Sequence, residues 1–149
     1  MKYLAPLLFF LLLASCSQRE IPEVHEAFGV AAHKLVERNG VQYQINSELP
    51  FTGSSVTFRK NGLMRSRINY KNGKQEGLFE LFHANGRVQS KFNMKGGKKD
   101  GLSETFWENG ELKTRQNFKD GKEDGLFEWA TENGEVVRTE NWKDGVKIN

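Results

Sequence analysis

GLFELFHANGRVQSKFNMKGGKKD, residues 77–100, is followed without a gap by GLSETFWENGELKTRQNFKDGKED, residues 101–124. The two segments share three glycine positions, an Asn-Gly pair and an asparagine that precedes a large apolar residue. The same interval of 24 holds along the chain in three sets: Gly53, Gly77, Gly101 and Gly125; Asn61-Gly62, Asn85-Gly86, Asn109-Gly110 and Asn133-Gly134; Gly73, Gly97, Gly121 and Gly145. The chain is therefore an array of repeats.

Each repeat has the pattern of a β-hairpin. Asn-Gly is the strongest short-range hairpin signal, because both residues tolerate the positive φ of a tight turn. The return strand over residues 88–94 alternates apolar or small residues with polar ones, which is typical of a half-buried strand. Residues 95–101 have glycines at both ends and turn the chain into the next repeat.

The register of the hairpins has two solutions. A two-residue turn pairs opposite charges: Glu80 with Lys91, and Glu104 with Arg115. A three-residue turn that ends in a glycine bulge puts Leu78 and Phe82 on one face with Val88, Phe92 and Met94. We predict the second register, because a shared apolar face fixes register more strongly than surface charge pairs. It leaves three glutamates on that face unexplained: Glu80, Glu104 and Glu128.

The ends of the array depart from the repeat. Leu35–Ile45 contains Asn39-Gly40 and predicts a shorter hairpin. Atypical end units are expected where a repeat array must protect an open sheet edge. We divide the domain of residues 35–149 into a degenerate cap and four repeats: 35–52, 53–76, 77–100, 101–124 and 125–148.

The N-terminus predicts export and lipidation. Lys2 precedes the apolar run Leu4–Leu13, which is too short for a membrane-spanning helix. Leu13-Ala14-Ser15-Cys16 resembles the bacterial lipobox, so residues 1–15 are predicted to be a lipoprotein signal peptide and Cys16 the lipidated residue. Cys16 is the only cysteine, so an internal disulfide is excluded. An ordinary secretory signal cut near Ser15 is the alternative.

A lipidated Cys16 places the protein in the cell envelope. Several acyl chains hold a protein stably on a membrane, where one chain does so only marginally. Ser17 follows the cysteine, and by resemblance to Gram-negative sorting rules this favours the outer membrane, with the protein facing the periplasm or the surface. Residues 16–34 are either a flexible tether or a short helix, since four apolar residues have helix-like spacing: Val24, Phe28, Ala31 and Leu35.

Residues 35–149 resemble the MORN-repeat-variant family, known in bacteria as the YwqK-type antitoxin family. The resemblance rests on Pro50-Phe51-Thr52-Gly53, on the Asn-Gly hairpins and on the links Lys71–Gly77 and Lys119–Gly125. It implies an all-β fold, an elongated single-layer antiparallel sheet of successive β-hairpin repeats with a 24-residue period. The family name implies an antitoxin.

Composition and residue pattern argue against several function classes. The 22 Lys and Arg are interspersed with 19 Asp and Glu, and loss of Lys2 with the signal lowers the formal charge from +3 to +2. Because nucleic-acid binding needs a concentrated basic patch, we expect no nucleic-acid partner. His83 is the only histidine within the repeats and occupies a variable slot, filled elsewhere by Arg59, Trp107 and Thr131. We expect no catalytic residues, no metal and no cofactor, and hence no enzyme.

A binding role is the function that remains. Trp107 and Trp129 are the best candidates for exposed aromatic contacts, because the equivalent positions are not aromatic in every repeat. Arg115 and Arg138 lie near them in sequence, and Trp and Arg are enriched at binding hot spots. The alternative is that the aromatics only cover the sheet.

Two functional hypotheses follow. One is a lipid-anchored envelope module that binds or scaffolds an unknown protein partner. The other is an immunity-like antitoxin that neutralises a toxin partner.

Overall fold

The computed structural model describes residues 29–148, which are almost entirely β-strand. The predicted signal peptide, Cys16 and residues 17–28 of the predicted tether or helix lie outside the described residues. A single 3-10 turn covers Ala32–Lys34. The strands are β1 Val30–Ala31, β2 Leu35–Arg38, β3 Val41–Gln44, β4 Gly53–Phe58, β5 Met64–Lys71, β6 Lys74–Phe82, β7 Val88–Lys95, β8 Lys98–Phe106, β9 Leu112–Lys119, β10 Lys122–Ala130, β11 Val136–Lys143 and β12 Val146–Lys147.

Ten strands form one open sheet in the order β1-β4-β5-β6-β7-β8-β9-β10-β11-β12. From β4 onward each strand pairs antiparallel with the next strand of the chain. At a strand spacing of about 4.8 Å, ten strands extend over roughly 45 Å. The predicted fold class, a single-layer sheet of successive hairpins, is confirmed.

The turn within each repeat is the predicted three-residue turn with a terminal glycine. In the second repeat the His83 N–H donates to the Arg87 carbonyl at 2.8 Å, and the Gly86 N–H donates to the His83 carbonyl at 3.1 Å. Gly86 has φ +85°, a conformation that favours glycine. The Asn85 side-chain oxygen accepts the Arg87 N–H at 3.0 Å and holds the turn closed.

A second bulge follows that turn and changes the register. Phe82 pairs with Val88, but Leu81 pairs with Ser90, so Gln89 is an extra residue in β7. This shift by one position sets Glu80 opposite Lys91. It also puts Phe92 and Met94 on one face of the sheet, while Leu78 and Phe82 lie on the other face. Our predicted grouping of these apolar residues is therefore wrong. The same bulge recurs at Arg65, Lys113 and Val137.

The links between repeats are two-residue turns with positive φ at both positions: Asn72-Gly73, Gly96-Gly97, Asp120-Gly121 and Asp144-Gly145. This is the geometry of a type I′ hairpin turn, which matches the twist of the strands. The links also form hydrogen bonds with the next repeat, along the side of the sheet where these strand ends lie. The Gly121 N–H donates to the Lys99 carbonyl at 2.8 Å, and the Gly145 N–H donates to the Glu123 carbonyl at 2.9 Å.

The two faces of the sheet differ in chemistry. We call one the charged face, because its central row of directly opposed residues is Val56, Arg67, Glu80, Lys91, Glu104, Arg115, Glu128 and Thr139. We call the other the aromatic face. It has three rows: Ser55, Ile68, Phe79, Phe92, Ser103, Gln116, Phe127 and Glu140; Thr57, Ser66, Leu81, Ser90, Thr105, Thr114, Trp129 and Arg138; Tyr70, Met94, Phe118 and Trp142.

A single layer has little interior. Among residues 29–148 the buried apolar side chains are Phe51, Val56 and Ala130. The remaining stabilisation comes from the strand ladder and from cross-strand side-chain pairs, each of which contributes roughly 0.2–1 kcal/mol. Side chains on both faces are therefore available to a partner without rearrangement of a core.

The N-terminal end of the sheet is covered. β1 lies parallel to β4, with Val30 opposite Ser55 and Ala31 opposite Val56. Of the predicted tether or short helix, residues 29–34 are described: Val30–Ala31 form β1 and Ala32–Lys34 form the 3-10 turn, so Ala31 and Leu35 do not share a helix face. Within residues 29–148 there is also no helix of the length and apolarity that a membrane span requires.

The hairpin predicted around Asn39-Gly40 is present as β2 and β3. It joins the array at the first link. The Phe51 N–H donates to the Gln42 carbonyl at 2.7 Å, and the Gln42 N–H donates to the Gly73 carbonyl at 2.9 Å. A Cβ at Gly73 would lie 2.2 Å from Val41 Cγ1, so only glycine allows this close approach.

Candidate functional site

The four predicted binding residues occupy three places. Trp129 and Arg138 are directly opposed on the aromatic face. Trp107 lies at the turn end of β8, and Arg115 lies on the charged face. The structure therefore places Trp129 and Arg138 side by side and separates this pair from Trp107 and from Arg115.

Trp107 links two repeats. Its indole Nε1–H donates to the Ala130 carbonyl of the next repeat at 3.2 Å, and Lys113 Nζ lies 4.2 Å from its ring centroid. The residues of this slot in the first two repeats behave alike: Arg59 Nη2 donates to the Phe82 carbonyl at 2.6 Å, and His83 Nε2 lies 2.9 Å from the Phe106 carbonyl. Thr131, in the last repeat, bonds within its own turn instead. The slot varies in residue type, but the side chains of Arg59, His83 and Trp107 are all engaged, because each reaches the equivalent backbone carbonyl.

Trp107 also forms a wall of an open cavity of about 480 Å³. The floor consists of the small side chains of Ser90, Thr105 and Thr114, and the Thr105 and Thr114 hydroxyl oxygens lie 2.6 Å apart. Other residues of the lining are Leu81, His83, Gln89, Phe106, Glu108 and Lys113. The sequence signal for this floor is the 24-residue interval that Ser66, Ser90 and Thr114 keep.

The last repeat replaces this hydroxyl pair with Trp129 and Arg138. Thr57 and Ser66 in the first repeat, and Thr105 and Thr114 in the third, occupy the same cross-strand positions and bond at 2.6 Å. In the fourth repeat the guanidinium carbon of Arg138 lies 4.7 Å from the Trp129 ring centroid, within cation–π distance.

The Trp129–Arg138 pair packs against Phe127 on one side and is exposed to solvent on the other. The Trp129 ring stacks on Phe127 with centroids 3.6 Å apart, which fixes the indole. The Arg138 side chain remains 60% exposed. Trp129 is also directly opposite Thr114, so the cavity floor and the Trp129–Arg138 pair form a continuous surface.

Glu140 supplies the counter-charge. It is only 5% exposed, it binds Arg138, and it accepts hydrogen bonds from Lys147 Nζ at 2.6 Å and Trp142 Nε1 at 3.2 Å. The hydrogen bond from Lys147 lowers the pKa of Glu140, and together with the contribution of Arg138 it outweighs the opposing effect of burial. Glu140 is therefore ionised, and two cations share one carboxylate.

Arg115 belongs to a ladder of charges on the other face. Its Nε lies 3.1 Å from Glu104, and its Nη1 lies 3.6 Å from Glu128. Lys91 Nζ approaches Glu104 at 2.9 Å from the opposite side. Burial alone would raise the pKa of Glu104, but the hydrogen bonds and charges of Lys91 and Arg115 lower it. The glutamates left unexplained above are the acidic members of this ladder.

Part of the aromatic face is covered rather than free. Phe79 and Phe92 stack with centroids 4.5 Å apart, and Lys99 Nζ lies 4.7 Å from the rings of both Phe92 and Phe118. These contacts support the interpretation that the central aromatics cover the sheet. The part of the chain that the structure describes contains no group of three or more His, Cys, Asp or Glu placed to hold a metal ion.

Comparison with known proteins identifies two of the repeats. Residues 75–95 and 99–120 each match the MORN repeat variant family. The first span runs through β6 and β7, and the second through β8 and β9. No curated protein and no solved structure gives a significant match to the chain. The resemblance to MORN repeat variants is thus confirmed for two consecutive hairpins.

Proposed function

We propose that this repeat protein is a lipid-anchored module of the bacterial cell envelope that binds another protein. The binding surface is the aromatic face of its last two repeats, from the cavity beside Trp107 to the Trp129–Arg138 pair. The observation that carries the proposal is a cross-strand position that holds hydroxyl pairs in the first and third repeats and Leu81 with Ser90 in the second, but a stacked tryptophan and an exposed arginine in the fourth.

Several properties of the pair favour protein binding. Trp and Arg dominate hot spots, where a preorganised side chain loses little conformational entropy on binding. Phe127 already fixes the Trp129 ring, and the ring in turn supports the Arg138 guanidinium. The adjoining cavity offers hydroxyl groups and an indole wall to a neighbouring side chain of the partner.

We propose binding without catalysis. The histidine of the cavity, His83, is engaged with a backbone carbonyl, and the Thr105 and Thr114 hydroxyls are bonded to each other. A hydrolytic mechanism would need a nucleophile in contact with a base. No cofactor and no nucleic acid enter this proposal.

The proposed anchor sets the reach of the module. From Cys16 to Val30 is 14 residues, which span at most about 50 Å when extended. Val30 belongs to β1 at one end of the sheet, and β11 lies at the other end. The Trp129–Arg138 pair is therefore on the part of the sheet farthest from the tether. In a two-membrane bacterium we place the anchor in the outer membrane, with the module facing the periplasm or the surface.

The antitoxin alternative uses the same surface and differs in the partner, which would be a toxin. Its support is the resemblance to the YwqK-type antitoxin family. Inability to delete the gene while a neighbouring toxin gene is intact would favour it over a scaffold.

A photo-crosslinking amino acid at position 113, which lines the cavity beside Trp107, tests the binding surface in living cells. We expect a discrete crosslinked species, identifiable by mass spectrometry, which is absent when the same amino acid replaces Arg65. Arg65 is the matched control because it is exposed, basic and at the far end of the array. Equal capture from both positions, or none from position 113, would contradict the proposed surface.

A further inference from the structure

The C-terminal end of the sheet has a partly open edge. β12 pairs with β11 at Trp142 and Lys143 only, and the Ile148 N–H donates to the Asn141 carbonyl at 2.9 Å. Within residues 29–148 no strand lies beside the outer edge of β11 from Val136 to Glu140. Val136 and Val137 are 50% and 61% exposed.

The open edge presents backbone hydrogen-bonding groups. The Asn141 carbonyl points outward, toward Ile148. Residues two apart in a strand direct their backbone groups to the same side, so the N–H and C=O of Thr139 also point outward. Unpaired groups of this kind are a template for another strand.

The array itself shows how a strand would fit. Arg138, Thr139 and Glu140 of β11 correspond to Thr114, Arg115 and Gln116 of β9, which lie 24 positions earlier. In the neighbouring strand β10, Trp129, Glu128 and Phe127 pair with these three β9 residues in that order. A strand added to β11 in this antiparallel register would place one side chain beside Arg138 on the aromatic face.

The charge beside the edge favours an acidic side chain at that position. Arg138 and Lys147 share the single carboxylate of Glu140. One positive charge is therefore in excess where the added strand would lie. A carboxylate opposite Arg138 would balance it at cross-strand contact distance.

We propose that the outer edge of β11 accepts an extended peptide strand of a partner protein, paired antiparallel, with an acidic side chain opposite Arg138. This goes beyond the proposed function, because the partner strand would pair with the β11 backbone at the sheet edge, which the proposed surface does not use; only the side chain opposite Arg138 would lie on the aromatic face. A peptide fits better than a second copy of this chain. β12 leaves room for about five residues, whereas the β11 of a second copy carries its own β12 on the same edge.

The probe is a fluorescein-labelled peptide that copies residues 127–131 with Trp129→Glu, the residue predicted to lie opposite Arg138. Its binding to the full mature protein, purified from membranes in detergent, is measured by fluorescence anisotropy. We expect saturable binding, about tenfold weaker when the peptide carries Trp129→Lys instead. The preference should reverse for the protein variant Arg138→Glu.

Thr139→Pro tests the backbone contact, because proline removes the outward N–H and is tolerated on an edge. We expect binding about tenfold weaker, whereas Thr139→Ala, which keeps the N–H, should bind like the unmodified protein. If Thr139→Pro fails to fold by circular dichroism, a peptide with a methylated backbone nitrogen at position 128 replaces it.

Hydrogen exchange read by mass spectrometry locates the contact. Slower exchange of residues 136–140 on peptide addition supports the proposal. Absence of saturable binding, or binding that ignores both the charge swap and the backbone changes, overturns it. Strong protection of residues 136–140 before peptide is added also overturns it, since the edge would then be occupied by residues 1–28 or by a second copy. Position 113 lies in β9 and away from the β11 edge, so crosslinking there does not depend on these outcomes and the proposed function is judged separately.

Discussion

Glu104 lies directly opposite Arg115 on the neighbouring strand, with 3.1 Å between Oε1 and Nε. Lys91 approaches the same carboxylate from the other side. Along this row an acidic residue and a basic one alternate from Arg67 to Glu128, so each buried carboxylate has a cation on a neighbouring strand. The row holds hairpins of different repeats in one register, and it does so without an apolar core.

The first prediction concerns acid stability. Because the pKa of Glu104 is lowered in the folded protein, its contribution to stability is present above the unfolded pKa, near 4.5, and is lost as the pH falls through the folded value. Glu104→Gln should lower the free energy of unfolding by about 1–2 kcal/mol at pH 7. Urea unfolding between pH 7 and 3 should show this difference shrinking below pH 4.5. Glu111→Gln, at an exposed turn, is the control, and a difference that stays constant with pH would contradict the ladder.

The second prediction concerns the turn at Gly110, which has φ +95°. A Cβ there meets nothing closer than 3.8 Å, so a substitution is penalised through the backbone conformation rather than by a collision. Gly110→Val should cost about 1–3 kcal/mol of stability in a thermal melt. Gly110→Asn should cost less, because asparagine tolerates positive φ. Equal melting temperatures for the valine variant and the unmodified protein would show that this conformation is not required.

The third prediction separates the two roles of Trp107. Trp107→Phe keeps an aromatic ring at the cavity but removes the hydrogen bond to the Ala130 carbonyl. We expect a loss of about 1 kcal/mol in the free energy of unfolding. Trp129→Phe, at a ring held by stacking on Phe127, should lose less. The opposite order would mean that the bond between repeats contributes little.

The fourth prediction concerns the anchor. Cys16→Ala should abolish acylation and release the protein from membranes, because no other lipidation site is predicted in the chain. Membrane fractionation and mass spectrometry of the intact protein measure both effects. Ser17→Ala keeps the cysteine and should stay on the membrane. A Cys16→Ala protein that remains membrane-bound after signal cleavage would rule out the lipid anchor.

The hairpins and their turns were predictable from sequence because turn chemistry is local. Asn85-Gly86 and its counterparts specify both the turn and the glycine bulge. The bulge at Gln89 was not predictable, since its counterparts in the other repeats share no chemistry: Arg65, Lys113 and Val137. That one extra residue decides the register. Without it Trp129 would lie opposite Val137 and not opposite Arg138.

The role of the variable slot was also hidden in the sequence. Arg59, His83 and Trp107 differ in size and charge, but each carries a side-chain N–H and reaches a carbonyl 23 residues ahead. A search for shared hydrogen-bond donors, rather than for shared residue types, would have found this link between repeats. Trp107 is thus a residue of the scaffold as well as of the cavity.

The affinity of the crosslinked partner for the purified protein tests the central claim most directly. Trp129→Ala combined with Arg138→Ala should weaken binding at least about 25-fold, the loss expected when a hot spot contributes about 2 kcal/mol. The β-sheet circular dichroism of this variant should stay intact, and Arg65→Ala should bind like the unmodified protein. Unchanged affinity in the folded double variant would contradict the proposal that the protein acts by binding through the Trp129–Arg138 pair.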